Sequence, residues 1–225
     1  NSNSFYFFCL NNKIANEFFF LSLKNKINVS NNPLLLSIIV FVDFLEFFNI
    51  KIKLSNLRLR SHKFEDWELF ENNSNLINFS KLEEQRGFDL LRKKFGIKKN
   101  NKFICLAVRD GAYLNDHNSK YQYRNYEIES FHEACKALSD LGYYVIRMGK
   151  KVQKETKIPG YKFIDYASSS YRSDFLDFFL IKNCTYVIST TTGIDTVAYM
   201  FNKPICYIVL ALGFINFNRK NNFWL

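Results

Sequence analysis

The sequence predicts an α/β fold in which the strands form one parallel sheet with helices on both faces. From about residue 80 to residue 217, short apolar runs alternate with helix-like amphipathic segments. The apolar runs are unbroken, which is typical of strands buried on both faces. Hydrophobic residues make up 48% of the 225-residue chain and aromatic residues 18%, enough for a substantial core. Right-handed crossovers between such strands give a Rossmann-like arrangement.

Four helices are predicted from their terminal residues, over 80–96, 126–141, 173–181 and 194–201. Ser80 and Glu83 form a capping box at the first helix start, and Gly96 is typical of its end. Asn125 and Ser173 are candidate N-caps of the second and third helices.

Five strands are predicted between and after these helices, over 103–108, 143–148, 162–165, 185–189 and 205–209. Residues 1–79 have poor periodicity and are interpreted as a partial or poorly ordered N-terminal region, followed by a domain over 80–225. The missing initiator Met and an end in mid-pattern indicate a fragment truncated at its C-terminus.

The apolar segment over 33–50 is a candidate membrane span. Asp43 and Glu46 interrupt it, and the uncharged stretch 34–42 is shorter than the ~20 residues that a spanning helix needs. A buried or interfacial element is the preferred interpretation.

The net charge of +10 has two interpretations: affinity for an anionic partner, or compositional drift in a chain rich in Lys, Asn, Ile and Phe. Nucleic-acid binding is not expected, because no recognition motif is present. Five cysteines form no C-x-x-C pair, which fits a reducing compartment, and no metal site is expected. Cys105, Cys184 and Cys206 are predicted to be reduced and largely buried.

The most informative segment is Thr185–Asp195, where a β-branched run leads into a hydroxyl-rich loop, a glycine and a helix. Unsatisfied N–H groups at a helix start favour phosphate, and ligands bind at this edge of open α/β sheets. The predicted phosphate-binding residues are Ser189, Thr190, Thr191, Thr192 and Gly193. Neither G-x-G-x-x-G nor a P-loop motif is present, which disfavours dinucleotide oxidoreductases and P-loop enzymes.

Cations at the other strand ends complete the predicted pocket. Arg109, Arg147 and Lys150 are expected to bind the phosphates, and Asp195 could accept hydrogen bonds from ribose hydroxyls. Possible supporting residues are Asp110, Tyr113, Asp165, Arg172, Ser173 and Asp174. Local ion pairs, a solvated lysine, helix-start carboxylates and a plain polar turn remain open as alternatives for these residues.

Seven blocks in order, within about residues 80–217, resemble a group of bacterial glycosyltransferases with a GT-B-like fold, associated with surface polysaccharide synthesis. They are Cys105–Tyr113 (CLAVRDGAY), Tyr123–Asn125 (YRN), Gly142–Gly149 (GYYVIRMG), Ile164–Ala167 (IDYA), Arg172–Asp177 (RSDFLD), Ile188–Asp195 (ISTTTGID) and Lys203–Ile205 (KPI).

The resemblance implies a C-terminal donor half of a GT-B-like fold that moves a sugar from a nucleotide-sugar donor to a cell-surface glycan or lipid-linked acceptor. It implies no cofactor and no bound metal, with the diphosphate at the Gly193 loop and the ribose at Asp195; the catalytic residue is not identified. The expected location is the cytoplasm, with peripheral association at the inner face of the membrane left open. A non-catalytic Rossmann-like module that binds a nucleotide or sugar, and a basic nucleic-acid-binding protein, are the alternative functions.

Overall fold

A computed structural model describes residues 6–8, 16–24, 28–30, 34, 37, 77–112, 122–208 and 223–224. The chain divides into two compact units, residues 1–73 and 74–225. The sequence-based boundary after residue 79 remains a prediction. Most of the apolar segment 33–50 lies outside the described residues.

The first unit contains a small parallel ribbon. Strand β1 (Tyr6–Phe8) pairs in parallel with β2 (Asn28–Ser30), and helix α1 (Glu17–Lys24) lies between them in sequence. Asn16 starts this helix by accepting a hydrogen bond from Phe19 N at 2.9 Å.

The second unit is built on one six-stranded sheet. Its regular elements, in chain order, are α2 (Lys81–Phe95), β3 (Phe103–Ala107), α3 (His132–Asp140), β4 (Tyr144–Met148), β5 (Phe163–Ile164), α4 (Asp174–Asn183), β6 (Val187–Ser189), α5 (Asp195–Met200), β7 (Ile205–Tyr207) and β8 (Phe223–Trp224). Every pairing in this sheet is parallel, which confirms the α/β, Rossmann-like prediction. Strand β8 was not predicted.

The strand order is β5-β4-β3-β6-β7-β8. The chain therefore starts at the middle of the sheet, winds outward through β4 and β5, and returns to the other side of β3 to form β6. The direction of winding reverses between β3 and β6. In open parallel sheets, a ligand crevice forms at the carboxyl ends of the strands on either side of such a reversal.

Most helix termini agree with the prediction. Ser80 and Glu83 form the complete capping box of α2, and Gly96 ends that helix in the left-handed conformation, with φ 68°. The Ser173 side chain accepts a hydrogen bond from Leu176 N at the start of α4.

The prediction for Asn125 was wrong. The segment 128–131 is a 3₁₀ turn, α3 begins only at His132, and neither start has a side-chain cap. The Asn125 side chain is used elsewhere: its Oδ1 accepts a hydrogen bond from Arg109 Nε at 2.9 Å.

The core lies on both faces of the sheet. On one face, Ile104 and Leu106 of β3 pack with Cys135 of α3. On the other, α2 and α4 contribute edge-to-face aromatic pairs such as Phe88–Phe179, with ring centroids 5.1 Å apart. Cys105 and Cys184 are buried free thiols, as predicted, whereas Cys206 is only half-buried. No helix among the described residues is long and apolar enough to cross a membrane.

Candidate functional site

The loops that follow β3 and β6 meet at the carboxyl edge of the sheet, where the winding reverses. Arg109 N donates a hydrogen bond to Thr190 Oγ1 at 2.9 Å, and Thr190 N donates to Ala107 O at 3.1 Å. Thr190 is fully buried, and its hydroxyl links the two loops by accepting the hydrogen bond from Arg109 N. The structure thus joins Arg109 to the Thr190–Gly193 loop through its backbone. Its guanidinium, which was predicted to reach the loop, donates to Asn125, and its binding of phosphate stays a prediction.

The loop after Thr190 has a strained backbone. Thr191 has a φ of 63°, in the left-handed region that β-branched residues rarely adopt. Such a conformation costs on the order of 1–3 kcal/mol and is concentrated at functional sites. Thr192 is held by Asp195, whose carboxylate accepts from Thr192 N at 2.9 Å and from Thr192 Oγ1 at 3.3 Å. The surrounding contacts therefore hold the loop in an unfavourable geometry.

Gly193 is the exposed point of this loop. Its φ is not positive, so the backbone conformation does not require glycine there. A Cβ atom added at Gly193 would meet no heavy atom within 4 Å. The glycine therefore leaves open space directly beside the loop backbone.

Asp195 was predicted to contact ribose, and the structure gives it a different task. Its carboxylate is buried and turned to its own loop, where both oxygens accept hydrogen bonds from Thr192. Burial raises the pKa of Asp195 to about 6, against the opposing effect of those hydrogen bonds. Asp195 therefore orders the Thr190–Gly193 loop by its two hydrogen bonds to Thr192, and its contact with ribose stays a prediction.

The Arg109 side chain is oriented by the loop that precedes α3. Its Nε donates to Asn125 Oδ1 at 2.9 Å, and its carbonyl accepts from Tyr126 N at 2.8 Å. Gly111 packs against the same amide: a Cβ there would lie 2.9 Å from Asn125 Nδ2. The arginine is half-buried and fixed at the crevice.

Arg147 corrects the sequence prediction, because it does not reach toward the Thr190–Gly193 loop. It lies within β4 and is 1% exposed. Its Nη1 donates to Asp165 Oδ2 at 3.0 Å and to Lys154 O at 2.8 Å, and its Nη2 lies 3.4 Å from Asp110 Oδ2. The physical reason is burial. A guanidinium inside the sheet must pair with carboxylates, and here Asp165 and Asp110 accept its hydrogen bonds, so it is directed away from the loop.

Arg147, Asp110 and Asp165 therefore join the loops that follow three adjacent strands. Asp110 Oδ2 also accepts from Gln153 N at 2.8 Å, and Asp165 Oδ2 accepts from Ser168 Oγ at 3.0 Å. This buried network, composed of one guanidinium and two carboxylates, fixes the loops of β3, β4 and β5 relative to one another.

A cleft of about 730 Å³ lies above this network, at the carboxyl ends of β3, β4 and β5. Small residues and a lysine-containing loop line it: Gly111, Ala112, Lys151, Val152, Gln153, Lys154, Glu155, Ala167 and Ser168. Lys154 is paired with Glu127 and Glu129, at 3.2 and 3.1 Å. Lys151 is exposed and has no ion pair among the described residues.

The cleft was not predicted from the sequence. Residues 151–155 follow β4 as an irregular run of Lys, Val, Gln and Glu that has the composition of a solvated loop. One signal was available, since ligands gather at the carboxyl ends of parallel strands, and this loop follows β4 directly.

The other predicted residues lie in several places. Lys150 is exposed beside the cleft, Ser189 is fully buried at the end of β6, and Tyr113 lies outside the described residues. Arg172 and Asp174 form a separate cluster at the start of α4.

In that cluster, Arg172 Nη2 lies 3.0 Å from Asp174 Oδ1 and 2.5 Å from Asp177 Oδ2. Tyr166 OH donates to Asp177 Oδ1 at 2.7 Å and accepts from Ser173 N at 3.0 Å. These contacts hold the first turn of α4 in place. They agree with the alternative that Asp174 is a structural residue of the helix start.

Within the described ranges, no group of three or more His, Cys, Asp or Glu side chains is arranged to hold a metal ion. The carboxylates at the crevice already have partners. Asp110 and Asp165 form ion pairs with Arg147, and Asp195 accepts hydrogen bonds from Thr192.

The fold and the crevice define a Rossmann-like α/β protein with a loop-lined site at the switch point of a parallel sheet. No known family model matches the chain, and no curated protein matches it. Among solved structures, it has a weak likeness to KpsC of Thermosulfurimonas dismutans, a beta Kdo 2,7 transferase. The TM-score is 0.29 and the identity 14%, over 91% of this chain and 78% of that chain.

Proposed function

We propose that this chain is the donor-binding part of a glycosyltransferase, which holds a nucleotide sugar at the carboxyl edge of the sheet with the diphosphate at the Thr190–Gly193 loop. The observation that carries this proposal is the geometry of the Thr190–Gly193 loop at the β3–β6 switch point. Its backbone is strained at Thr191 and has open space beside Gly193. Strain at Thr191 and open space at Gly193 are both features of backbone that approaches a ligand closely.

A phosphate suits this position for two reasons. The start of α5 brings the positive end of the helix dipole to the loop, while Asp195 N and Val197 N donate to Thr192 O and Ile194 O at 3.2 and 2.9 Å. Arg109 stands at the neighbouring strand end, tied to Thr190, where its positive charge can offset the charge of a departing diphosphate.

The cleft beside the crevice gives room for the rest of the donor. Neighbouring strands lie about 4.8 Å apart, so the loops of β6 and β4, on either side of β3, are separated by roughly 10 Å. A ligand with its phosphates at the Thr190–Gly193 loop can therefore extend over β3 into the 730 Å³ cleft. Lys151, at the rim of the cleft, adds a cation without an intramolecular ion pair among the described residues.

The resemblance in sequence supports a site at the same carboxyl edge of the sheet. The blocks around Arg109, Gly149, Asp165 and Gly193 each cover the end of a strand and the loop that follows it. Loops at the carboxyl ends of strands are where binding residues are usually placed, so these four blocks are consistent with a site at this edge.

Glycosyl transfer needs an acceptor hydroxyl that attacks the anomeric carbon while the nucleoside diphosphate leaves. We propose that Arg109 and the Thr190–Gly193 loop stabilise the leaving group, without a metal ion. The base is proposed to come from outside the described residues, because the crevice carboxylates described above are engaged. The acceptor is proposed to be a cell-surface glycan or a lipid-linked sugar.

The test is a thermal-shift screen against GDP-, UDP-, ADP- and CMP-sugars. A ligand present at 100 times its Kd stabilises the folded state by about 2.7 kcal/mol, which should raise Tm by roughly 5–10 °C for a chain of this size. We expect one nucleotide class to do so and Arg109→Ala to reduce the shift. No shift with any nucleotide sugar would contradict the proposal.

A transfer assay then separates the enzyme from the non-catalytic alternative. Release of the leaving nucleotide, a nucleoside diphosphate or, from a CMP-sugar, CMP, together with formation of a glycosylated acceptor supports transfer. Donor binding with no release under any acceptor condition would favour a module that only binds the nucleotide sugar.

A further inference from the structure

We infer that the side-chain amides of Asn125 and Gln153 are positioning residues for donor binding, because together they hold the turn that carries Arg109. We call these two amides the amide pair and residues 109–112 the arginine turn. The inference rests on the proposed function, since it concerns the contact of Arg109 with phosphate. It assigns to Gln153, which lies in the wall of the cleft, an effect on phosphate binding that is exerted through Arg109.

The arginine turn follows β3 as an irregular segment at the carboxyl edge of the sheet. The backbone of Arg109 is held by two hydrogen bonds, since its N donates to Thr190 Oγ1 at 2.9 Å and its O accepts from Tyr126 N at 2.8 Å. Side chains from two other segments fix the direction of its guanidinium and the course of the residues that follow.

Asn125 holds the guanidinium of Arg109. Its Oδ1 accepts from Arg109 Nε at 2.9 Å, across 16 residues of sequence. The other end of the same amide lies beside the arginine turn, because a Cβ atom at Gly111 would be 2.9 Å from Asn125 Nδ2. A single planar amide therefore relates the side chain of Arg109 to the backbone of Gly111.

Gln153 holds the residue that follows Arg109. Its N donates to Asp110 Oδ2 at 2.8 Å, and its Nε2 donates to the main-chain O of Asp110. Asp110 Oδ1 accepts in turn from Ala112 N at 3.1 Å, a contact that closes the turn. Gln153 therefore contacts both the side chain and the main chain of the residue next to Arg109.

The amide pair converges at Gly111. This glycine has a φ of 81°, in the left-handed region that favours glycine. A Cβ atom there would lie 2.9 Å from Asn125 Nδ2 and 3.7 Å from Gln153 Nε2. The two amides therefore border the space that a side chain at this position would take, and the loss of either one leaves the arginine turn less firmly held.

The amide pair joins the two parts of the proposed donor site. Gln153 belongs to the 151–155 wall of the cleft, whereas Arg109 is bonded to Thr190 of the Thr190–Gly193 loop. An arginine that is already held in place loses little side-chain freedom when it binds phosphate, which favours affinity. The amide pair therefore raises the affinity for phosphate without contacting it.

Two other roles would also explain these contacts. Gln153 lines the cleft, so one alternative is a direct contact with the part of the donor that lies there. Such a contact would not affect a ligand that consists of the phosphates alone. The other alternative is that the amides only stabilise the fold, and that role would not depend on the presence of Arg109.

The test is isothermal titration of the full chain with inorganic pyrophosphate, which lacks the nucleoside and the sugar that would extend into the cleft. Gln153→Met keeps the length of the side chain and removes its Nε2 donor, and Asn125→Leu keeps the shape and removes the Oδ1 acceptor. Each should raise the Kd for pyrophosphate about three- to tenfold, as expected for the loss of one hydrogen bond. The matched control Gln85→Met, an exposed change on α2, should leave the Kd unchanged.

The same substitutions in an Arg109→Ala background decide between the three roles. Because the amide pair acts through Arg109, Gln153→Met and Asn125→Leu should have no further effect on the Kd in this background, so their effects are strongly non-additive with that of Arg109→Ala. Titration followed by NMR measures the weaker binding of the Arg109→Ala variants. The Tm of each variant is measured in parallel to check that it is folded.

Two results would overturn the inference and leave the proposed function intact. One is an unchanged pyrophosphate Kd in Gln153→Met and Asn125→Leu, which would mean that neither amide acts on the phosphate contact. The other is an equal loss with and without Arg109, which would show that the amides act on the fold alone. If the wild type did not bind pyrophosphate, the phosphate site of the proposed function and this inference would both be contradicted.

Discussion

Replacement of Arg147 by methionine tests the buried network beneath the cleft. The side chain is 1% exposed, and its partners Asp110 and Asp165 are 11% and 6% exposed. Methionine fills a similar volume but leaves both carboxylates without their cation in a poorly solvated site. Loss of one partner from a buried ion pair costs about 3–5 kcal/mol, so we expect Arg147→Met to lower the free energy of unfolding by that amount.

The assay is urea denaturation followed by circular dichroism, with two variants for comparison. Arg92→Met removes an exposed pair, Arg92–Asp89, and should cost less than about 1 kcal/mol. Asp110→Asn and Asp165→Asn, added to Arg147→Met, remove the uncompensated charges and should recover part of the loss.

A loss below about 1 kcal/mol for Arg147→Met, or a loss equal to that of Arg92→Met, would refute the assignment of Arg147 to a structural network. A large loss with no recovery in the triple variant would show that the charge argument is wrong and that packing alone explains the effect.

Three further predictions concern packing, pH and metal. Gly87→Ala should destabilise the protein by about 1–3 kcal/mol, because its Cβ would lie 2.4 Å from the Phe179 ring. Urea unfolding measures this, with the exposed change Gln85→Ala as the control. Equal stability of the two variants would contradict the prediction. The raised pKa of Asp195, about 6 against about 3.9 unfolded, means that the folded state binds a proton more tightly. Its contribution should therefore reduce stability by about 2 kcal/mol as the pH rises from 4 to 6, and by about 3 kcal/mol over the whole titration. A wild-type pH profile of Tm parallel to that of Asp195→Asn would disprove it. Donor binding should be unchanged by EDTA, and a loss restored by Mg²⁺ would show a metal requirement.

The sequence was sufficient for strands β3–β7 and for most helix ends of the second unit because those signals are local. Unbroken apolar runs predicted the parallel strands, and Ser80, Gly96 and Ser173 marked helix ends by contacts within one turn. Asn125 failed as a cap because its amide bonds to Arg109, a partner 16 residues away that no local pattern reveals.

The site was predictable only in part for the same reason. The alternation of elements predicts parallel strands whose carboxyl ends share one edge, which places the Thr190–Gly193 loop and Arg109 at that edge. That they are neighbours follows from the pairing of β3 with β6, which the alternation alone does not give. Arg147 was misassigned because it was treated as a strand end, although it lies inside β4 between two buried residues. An arginine within an apolar run is itself a signal of a buried ion pair, and Asp110 and Asp165 after the neighbouring strands were the candidate partners.

The central claim is that a nucleotide sugar binds against the Thr190–Gly193 loop, and Gly193→Val tests it most directly. Because the added Cβ would meet no protein atom within 4 Å, the variant should keep the wild-type Tm. Thr196→Val, an exposed change on α5, is the matched control. By isothermal titration with the nucleotide sugar that gives the largest thermal shift, we expect Gly193→Val to raise Kd at least about tenfold and Thr196→Val to leave it unchanged. An unchanged Kd in Gly193→Val, with normal folding, would contradict the claim.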